Sequence, residues 1–368
     1  MLTRLKAYFN RFDWLILASV MLLIAFSLVE IYSVALGQES VNLINFKKQL
    51  IFTALGLGLL FTFSTIDARF LKSASRYIYF LGIILLVLVL IFGSVSRGTK
   101  GWFDVAGLGI QPVEFVKIIL IIFLANYFAS LATRIKTVKH FILSGLSTLV
   151  FIGLVMLQPD FGSAVMLGAI WLIMLIAADF PKKYLISIIL ISTILFTFAW
   201  VFFFKPYQKL RIMTFIRPQE SALESSWNVS QAIIAVGAGG LTGKGVGFGS
   251  QSQLKFLPEA QTDFIFAVLA EELGLLGVLL VLSFYSLFFY RCLRAIKTIN
   301  NDFGIYFIIG SLGLIFIQMF INIGMNIGII PVVGLPLPFV SYGGSSLLSL
   351  LIMVGIIENI IIKSKSRH

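Results

Sequence analysis

Charged side chains are scarce: Asp, Glu, Lys and Arg together make up 12% of the 368 residues, about half the ~25% of an ordinary soluble domain. A chain so poor in charge cannot cover the surface of a soluble fold of this length. Cysteine is limited to Cys292, which excludes an internal disulfide. Histidine is limited to His140 and His368, too few for a histidine-based metal site. His140 also lies beside a loop expected on the cytoplasmic side, which argues against a Ser-His-Asp hydrolase. What fills the chain instead is apolar: 59% of residues are hydrophobic, in recurring runs of about 20, the length that spans a hydrocarbon core of about 30 Å. The composition predicts an all-α, polytopic integral membrane protein.

Ten spans are expected, near 14–35, 48–66, 77–95, 112–130, 141–158, 162–178, 183–204, 263–290, 303–326 and 340–362. The first follows Arg4, Lys6 and Arg11 and lacks a small-residue cleavage pattern, so it is expected to stay as an anchor. The net charge of +12 does not gather on one domain, as a nucleic-acid partner would require. Its Lys and Arg residues recur in alternate connections, including Arg69, Lys72 and Arg76, then Arg134, Lys136 and Lys139, and later Arg291, Arg294 and Lys297. The opposite short loops hold only Lys47, Lys48, Arg97 and Lys100. The positive-inside rule therefore places both termini in the cytoplasm.

The spans leave one long connection, about 205–262, on the outer face between the seventh and eighth; residues 1–368 otherwise read as a single membrane domain. Long ordered loops are often functional. Its 226–236 segment predicts a short helix capped by Ser225 or Ser226 and stopped by Gly237, lying on the membrane surface with Trp227 at the interface. The glycines between Gly237 and Gly249 invite a nucleotide-binding reading that the spacing refuses: Gly243-Lys244 is followed by Gly245, not by Ser or Thr, and no G-x-G-x-x-G occurs. Backbone turns and close packing are the expected use, with amide contacts to an anionic ligand as the alternative.

Charges inside spans are costly and so are functional candidates. Gln111-Pro112-Val113-Glu114-Phe115-Val116-Lys117 opens the fourth span with Pro112 in its first turn, and Glu114 and Lys117, three apart, share a face and can pair. Such a pair serves either as a structural ion pair or as a binder of a charged head group. At the eighth span, Thr262 is expected to cap the helix and put Asp263 in its first turn, where the helix dipole favours a carboxylate. A carboxylate at the water–hydrocarbon boundary is equally placed to take a proton from a hydroxyl of a membrane-tethered substrate. Glu271 and Glu272 lie about 12 Å deeper at 1.5 Å per residue; at most one is expected to share a polar cavity with Asp263, and a protonated or hydrogen-bonded packing role is the alternative. Arg211, Arg217, Lys244 and Lys255 make the long loop basic and suited to a diphosphate. Gln318, Asn322 and Asn326 form a polar stripe on the ninth span, and the segment from Pro331 into Ser345 and Ser346 is expected to border the site.

These motifs, with Gln158-Pro159-Asp160-Phe161-Gly162, Gly243-Lys244-Gly245, Leu257-Pro258-Glu259, Thr262-Asp263-Phe264 and the closing run from Gly334 to Ser346, resemble the shape, elongation, division and sporulation (SEDS) family along the whole chain. Gly243-Lys244-Gly245 and Thr262-Asp263 look more like its elongation members than its division members. Val113 stands where Ser is common and Gln261 where His is common.

The resemblance implies a peptidoglycan glycosyltransferase in the bacterial plasma membrane. It would polymerise lipid II onto a growing polyprenyl-linked glycan at the outer face, beside a class B penicillin-binding protein that supplies transpeptidation. In those terms Asp263 matches the essential aspartate, and Glu114 and Lys117 the polar pair of a central cavity. Asp160, Arg211, Lys255, Glu271, Ser345 and Ser346 complete the expected binding set. The departing diphosphate calls for positive charge from Lys117, Arg211, Lys255 or a divalent cation, Mg2+ or Mn2+, held partly by the substrate's own phosphates. No organic cofactor is expected. Two other readings compete: a transporter or flippase of the lipid-linked precursor, which needs a polar route through both leaflets, and a scaffold for a partner synthase. The gathering of Asp263, Lys117, Asp160 and the long loop on the outer half favours the enzyme.

Overall fold

The computed structural model describes residues 8, 10–37, 42–96, 98–105, 107–131, 137–202, 209, 213, 224–254 and 256–365. Helices α1 (Trp14–Leu36), α2 (Ile44–Thr65) and α3 (Ala68–Phe92) are followed by strands β1 (Ser94–Ser96), β2 (Thr99–Val105) and β3 (Leu108–Ile110). Then come α4 (Pro112–Ala129), α5 (Val138–Met156), α6 (Phe161–Ala177), α7 (Lys182–Phe202), α8 (Glu224–Ala238), α9 (Ser250–Gln253), α10 (Ile265–Ile296), α11 (Asp302–Asn326) and α12 (Gly344–Lys365). Among the described residues, eight helices are long and apolar enough to cross a membrane; α6, at 17 residues, is shorter. The chain is a multi-pass membrane protein.

Local chemistry sets the boundaries. Pro112 occupies the first turn of α4, where its fixed φ suits a helix and its missing N–H leaves nothing unpaired. The Asp67 carboxylate accepts from the Arg69 amide at 2.8 Å and starts α3 there, so Arg69, Lys72 and Arg76 lie within the helix and not in the connection before it. That moves the start of this span nine residues earlier than the apolar run suggested. Asp160 caps α6 in the same way, accepting from the Ser163 amide at 2.9 Å. The connection between α3 and α4 departs from an all-helical expectation: it folds as a small antiparallel sheet in the order β1-β2-β3, with Gly98 and Gly107 at φ +81° and +76° between the strands. Its short strands carry no sustained alternation, so the pattern did not announce it.

Helix α4 lies at the centre, packed by α3, α11, α6, α12 and α5. Helices α2 and α12 approach closely because both present glycines: a Cβ at Gly56 would stand 2.4 Å from Leu351 and one at Gly355 would stand 2.5 Å from the Leu60 carbonyl. Small residues at a helix contact are how membrane helices gain packing contact without a hydrophobic drive between them.

Helix α10 is the longest element, 32 residues, and it is broken at Gly274 (φ 66°, ψ −166°). The loop after α8 supplies the bonds the break removes. Gly240 and Leu241 carbonyls accept from the Leu275 and Leu276 amides at 2.9 and 3.1 Å, while the Lys244 and Gly245 amides donate to the Glu271 and Glu272 carbonyls at 3.0 and 2.9 Å. Irregular backbone survives at membrane depth only when it is satisfied within the protein. The glycines of this loop make the docking feasible, since a Cβ on Gly239 would fall 1.8 Å from the Ala270 carbonyl oxygen and one on Gly243 would fall 2.1 Å from that of Glu272.

Gly274 occupies backbone space that is essentially glycine-only, worth of order 1–3 kcal/mol of strain for another residue, and its Cβ would meet the Gly243 nitrogen at 2.2 Å. The Gly274→Ala variant is expected to destabilise the fold by roughly 2–4 kcal/mol, strain and overpacking together. Thermal unfolding of the purified protein in detergent checks this, and an unchanged melting temperature would show that the loop does not depend on the break.

Candidate active site

The segment before α10 is a turn and not the helix's first turn. Glu259 adopts φ 54°, and its carbonyl accepts from the Thr262 and Phe264 amides at 3.0 and 3.3 Å. The Thr262 hydroxyl donates to the Glu259 carboxylate at 3.1 Å and to its carbonyl at 3.3 Å. Thr262 is therefore engaged backwards and does not cap the helix; the N-cap is Phe264, with no side-chain cap bond, and Asp263 stands two residues ahead of Ile265. This corrects the expected capping.

Asp263 is half-buried, and its backbone is fixed from the neighbouring helix. Asn322 and Asn326 of α11 each donate a side-chain N–H to the Asp263 carbonyl at 3.0 Å. Asn322 also donates to the Leu335 carbonyl at 2.8 Å, and the Asn326 side-chain oxygen accepts from the Ala267 amide at 3.1 Å. The carboxylate itself faces the 334–343 segment: a Cβ on Gly334, which has φ +74°, would stand 3.5 Å from Asp263 Oδ2. Ser341 donates to the Thr262 carbonyl at 2.6 Å and accepts from the Leu337 amide at 2.7 Å, and the Tyr342 amide donates to the Gln261 carbonyl at 2.8 Å.

The same closing segment reaches the start of α4. Ser345 accepts from the Gln111 amide at 2.8 Å, and the Gln111 side chain donates to Asp160 at 3.2 Å. Asp160 thus joins this cluster while capping α6, and Ser163 adds a second donor to it at 2.8 Å. One turn into α4, Lys117 and Glu114 pair at 2.7 Å with residue exposures of 1% and 6%, so the pair is sealed from solvent. Ser346 is half-buried in the first turn of α12.

Glu271 and Glu272 serve the loop instead. Both are fully buried. Glu271 accepts from Lys244 Nζ at 3.2 Å, from Ser250 at 3.2 Å and from the Gln251 and Ser252 amides at 2.9 and 3.2 Å. Glu272 accepts from Ser33 at 2.6 Å, the Gly247 amide at 3.2 Å and Gln253 at 3.2 Å. Of the two expected uses, a cavity shared with Asp263 by at most one of them or hydrogen-bonded packing, these contacts are those of packing: the loop folds over the broken helix and takes up both. Arg211 and Lys255 lie outside the described residues. The sequence singled out the Asn322–Asn326 stripe without its partner, and it missed the roles of Gln111 and Ser341. Their signal was a polar residue flanking a proline-rich or glycine-rich segment at a helix end.

The chain is similar to known proteins over nearly its whole length. The FtsW/RodA/SpoVE family model, described as a cell cycle protein, matches residues 13–366. Peptidoglycan glycosyltransferase MrdB of Escherichia coli K12 is 37% identical over 311 residues, 83% of this chain and 83% of its own. The crystal structure of the rod shape determining protein RodA from Thermus thermophilus superposes with a TM-score of 0.72 at 26% identity, covering 97% of this chain and 98% of that one. A chain from a peptidoglycan synthase complex, in work on the coordination of polymerization and crosslinking, superposes with a TM-score of 0.79 at 26% identity and the same coverage.

The buried Glu114–Lys117 pair gives a direct test. Removing one partner strands a buried charge at a cost of about 3–5 kcal/mol, whereas an apolar replacement of both is far milder. Glu114→Gln is expected to lower the melting temperature strongly and the double variant E114Q/K117M to recover most of the loss. Equal melting temperatures for single and double variants would show that the two charges are not coupled.

Proposed function

The chain belongs to the FtsW/RodA/SpoVE family, and from that membership we propose that it is a peptidoglycan glycosyltransferase of the elongation type that polymerises lipid II, with Asp263 as its general base. The observation that carries the assignment of the base is the placement of one half-buried carboxylate on a turn whose backbone is held by a buried helix. A base must sit within hydrogen-bond reach of the proton it removes, and its own position must be fixed for the geometry to recur in each turnover.

In the proposed reaction the Asp263 carboxylate takes the proton of the acceptor sugar's 4-hydroxyl. The freed oxygen pair attacks the anomeric carbon of the donor glycan, the bond from that carbon to the diphosphate oxygen breaks, and the polyprenyl diphosphate leaves with the electron pair. Inversion at carbon gives a β-1,4 link. The chain's counter-charge for the leaving group is assigned to Arg211 and Lys255 of the long loop and to Lys117. Lys117 directs one N–H to Glu114 and has two more to offer, so contact with a phosphate requires the sealed pair to open. Among the described residues no three His, Cys, Asp or Glu side chains could together hold a metal ion. A Mg2+ or Mn2+ ion belongs to this proposal only as the counter-ion of the substrate's own diphosphate. The group transfer calls for no organic cofactor.

The site is proposed to face the outside of the plasma membrane with both termini in the cytoplasm, supported by the distribution of Lys and Arg among the connections. A class B penicillin-binding protein is the proposed partner, supported by the structural likeness to a chain of a peptidoglycan synthase complex. A relative named as a glycosyltransferase favours polymerisation over transport of the precursor.

The assay is glycan synthesis from purified lipid II by the full-length chain with its partner. Asp263→Asn keeps the size of the side chain and removes its basicity, and it is expected to lower the rate about 10²–10⁴-fold, the usual worth of a positioned base. A rate within twofold of wild type would remove Asp263 from the chemistry.

A further inference from the structure

We infer that Asn322 and Asn326 are positioning residues for the Asp263 carboxylate, acting from α11 through the Asp263 backbone carbonyl. The inference rests on the general-base reading above and adds the device that aims the base.

Both carboxamides are fully buried, and their orientation is fixed by chemistry. The Asn322 nitrogen faces two acceptors, the carbonyls of Asp263 at 3.0 Å and Leu335 at 2.8 Å. The Asn326 nitrogen faces the carbonyls of Asp263 at 3.0 Å and Asn322 at 2.8 Å, while its oxygen faces the Ala267 N–H at 3.1 Å. Flipping either amide would set oxygen against oxygen. The two side chains therefore use their donor capacity on four carbonyl contacts, and two of these converge on one atom.

That atom belongs to the residue whose side chain does the chemistry. The turn from 259 to 264 is closed across Asp263 by one wide bond, from the Phe264 amide to the Glu259 carbonyl at 3.3 Å, and the following helix starts without a side-chain cap at Phe264. Asn326 takes the place of that cap by accepting from the first-turn amide of Ala267 at 3.1 Å, an amide that also donates to the Phe264 carbonyl at 3.0 Å. Asn322 ties the same carbonyl to Leu335, and thereby to the segment whose Gly334 backs the carboxylate. The direction of the Asp263 Cα–Cβ bond is thus set from α11 on one side and the 334–335 backbone on the other. Packing alone does not require this arrangement: an apolar side chain of similar volume fills the same space, yet at either position it removes one of the two donors to the Asp263 carbonyl, and at 326 it also removes the side-chain acceptor of the Ala267 amide. A displacement of about 1 Å at a reacting group is enough to cost about 10²-fold in rate.

The test uses Asn322→Leu and Asn326→Leu in the full-length chain with its partner, measuring kcat and KM for lipid II, with thermal unfolding of each variant. Positioning predicts a fall in kcat of at least tenfold with KM within twofold of wild type, in protein that still unfolds cooperatively. Asn322→Ser, smaller and retaining one hydroxyl donor, is the companion variant, and its kcat is expected between those of wild type and Asn322→Leu; it decides the question if the leucine variants do not fold. A kcat within twofold of wild type in either folded leucine variant overturns the inference, or in Asn322→Ser if neither leucine variant folds, as does a parallel loss of melting temperature, kcat and substrate affinity, which marks a role in folding alone. The Asp263→Asn variant in the same assay separates the two levels. If it is inactive while the asparagine variants are fully active, the base stands and its positioning by α11 falls; if it is active, the base itself falls.

Discussion

One backbone carbonyl, that of Asp263, is the point at which three parts of the molecule are joined. It is gripped from α11 by two buried carboxamides, one of which also holds Leu335, while Ser341 and Tyr342 hold the two residues before it. Remove that convergence and the turn from 259 to 264 keeps its own Glu259 bonds and the contacts of the Gln261 side chain with Asn45 and the Ile31 carbonyl, none of which bears on the Asp263 carbonyl. A catalytic group on a loop needs such external support, because a loop alone does not hold a side chain to the tolerance that chemistry demands. The same closing segment runs on to Ser345, which meets Gln111 at the start of α4; Gln111 reaches Asp160, and the buried Glu114–Lys117 pair begins one turn further along α4.

Burying charge in a membrane protein is costly, and this chain offsets the cost in two ways. Glu114 and Lys117 neutralise each other on one helix face. Glu271 and Glu272 are instead satisfied by the loop after α8, which brings a lysine, backbone amides and hydroxyls to a place where the helix has been opened at Gly274. The break and the carboxylates belong together. The open backbone needs partners, the loop that supplies them carries exposed amides of its own, and the two glutamates accept those amides. The connection after α8 is in this way anchored in the helical bundle at Glu271 and Glu272, close in sequence to the turn that bears Asp263.

Much of this was legible in the residues. The apolar runs correspond to helices, the Glu114–Lys117 spacing predicted the observed pair, and the glycine cluster serves close packing as expected. The motifs also identified the family, later matched over residues 13–366. What could not be read were long-range partners. Thr262 looked like a helix cap because the local pattern favours it, and only the turn made by Glu259 shows why it is not. Glu271 looked like a cavity group because nothing in a helix pattern reveals that a distant loop will cover it. The small sheet between α3 and α4 escaped because its strands are too short for periodicity to register. Asn322 and Asn326 were visible as a stripe, but a stripe states which face is polar and not what it holds.

The claim on which all this turns is that Asp263 must be ionised to accept a proton as the glycosidic bond forms. The direct measurement is the pH dependence of kcat/KM for lipid II polymerisation by the full-length chain with its partner, compared between wild type and Asp263→Asn. The account predicts that the wild-type rate rises with pH through a single ionisation on the acid side and that the residual rate of the variant lacks this rise. The same acid-side rise in both proteins would contradict it, because the ionising group would then be some other side chain.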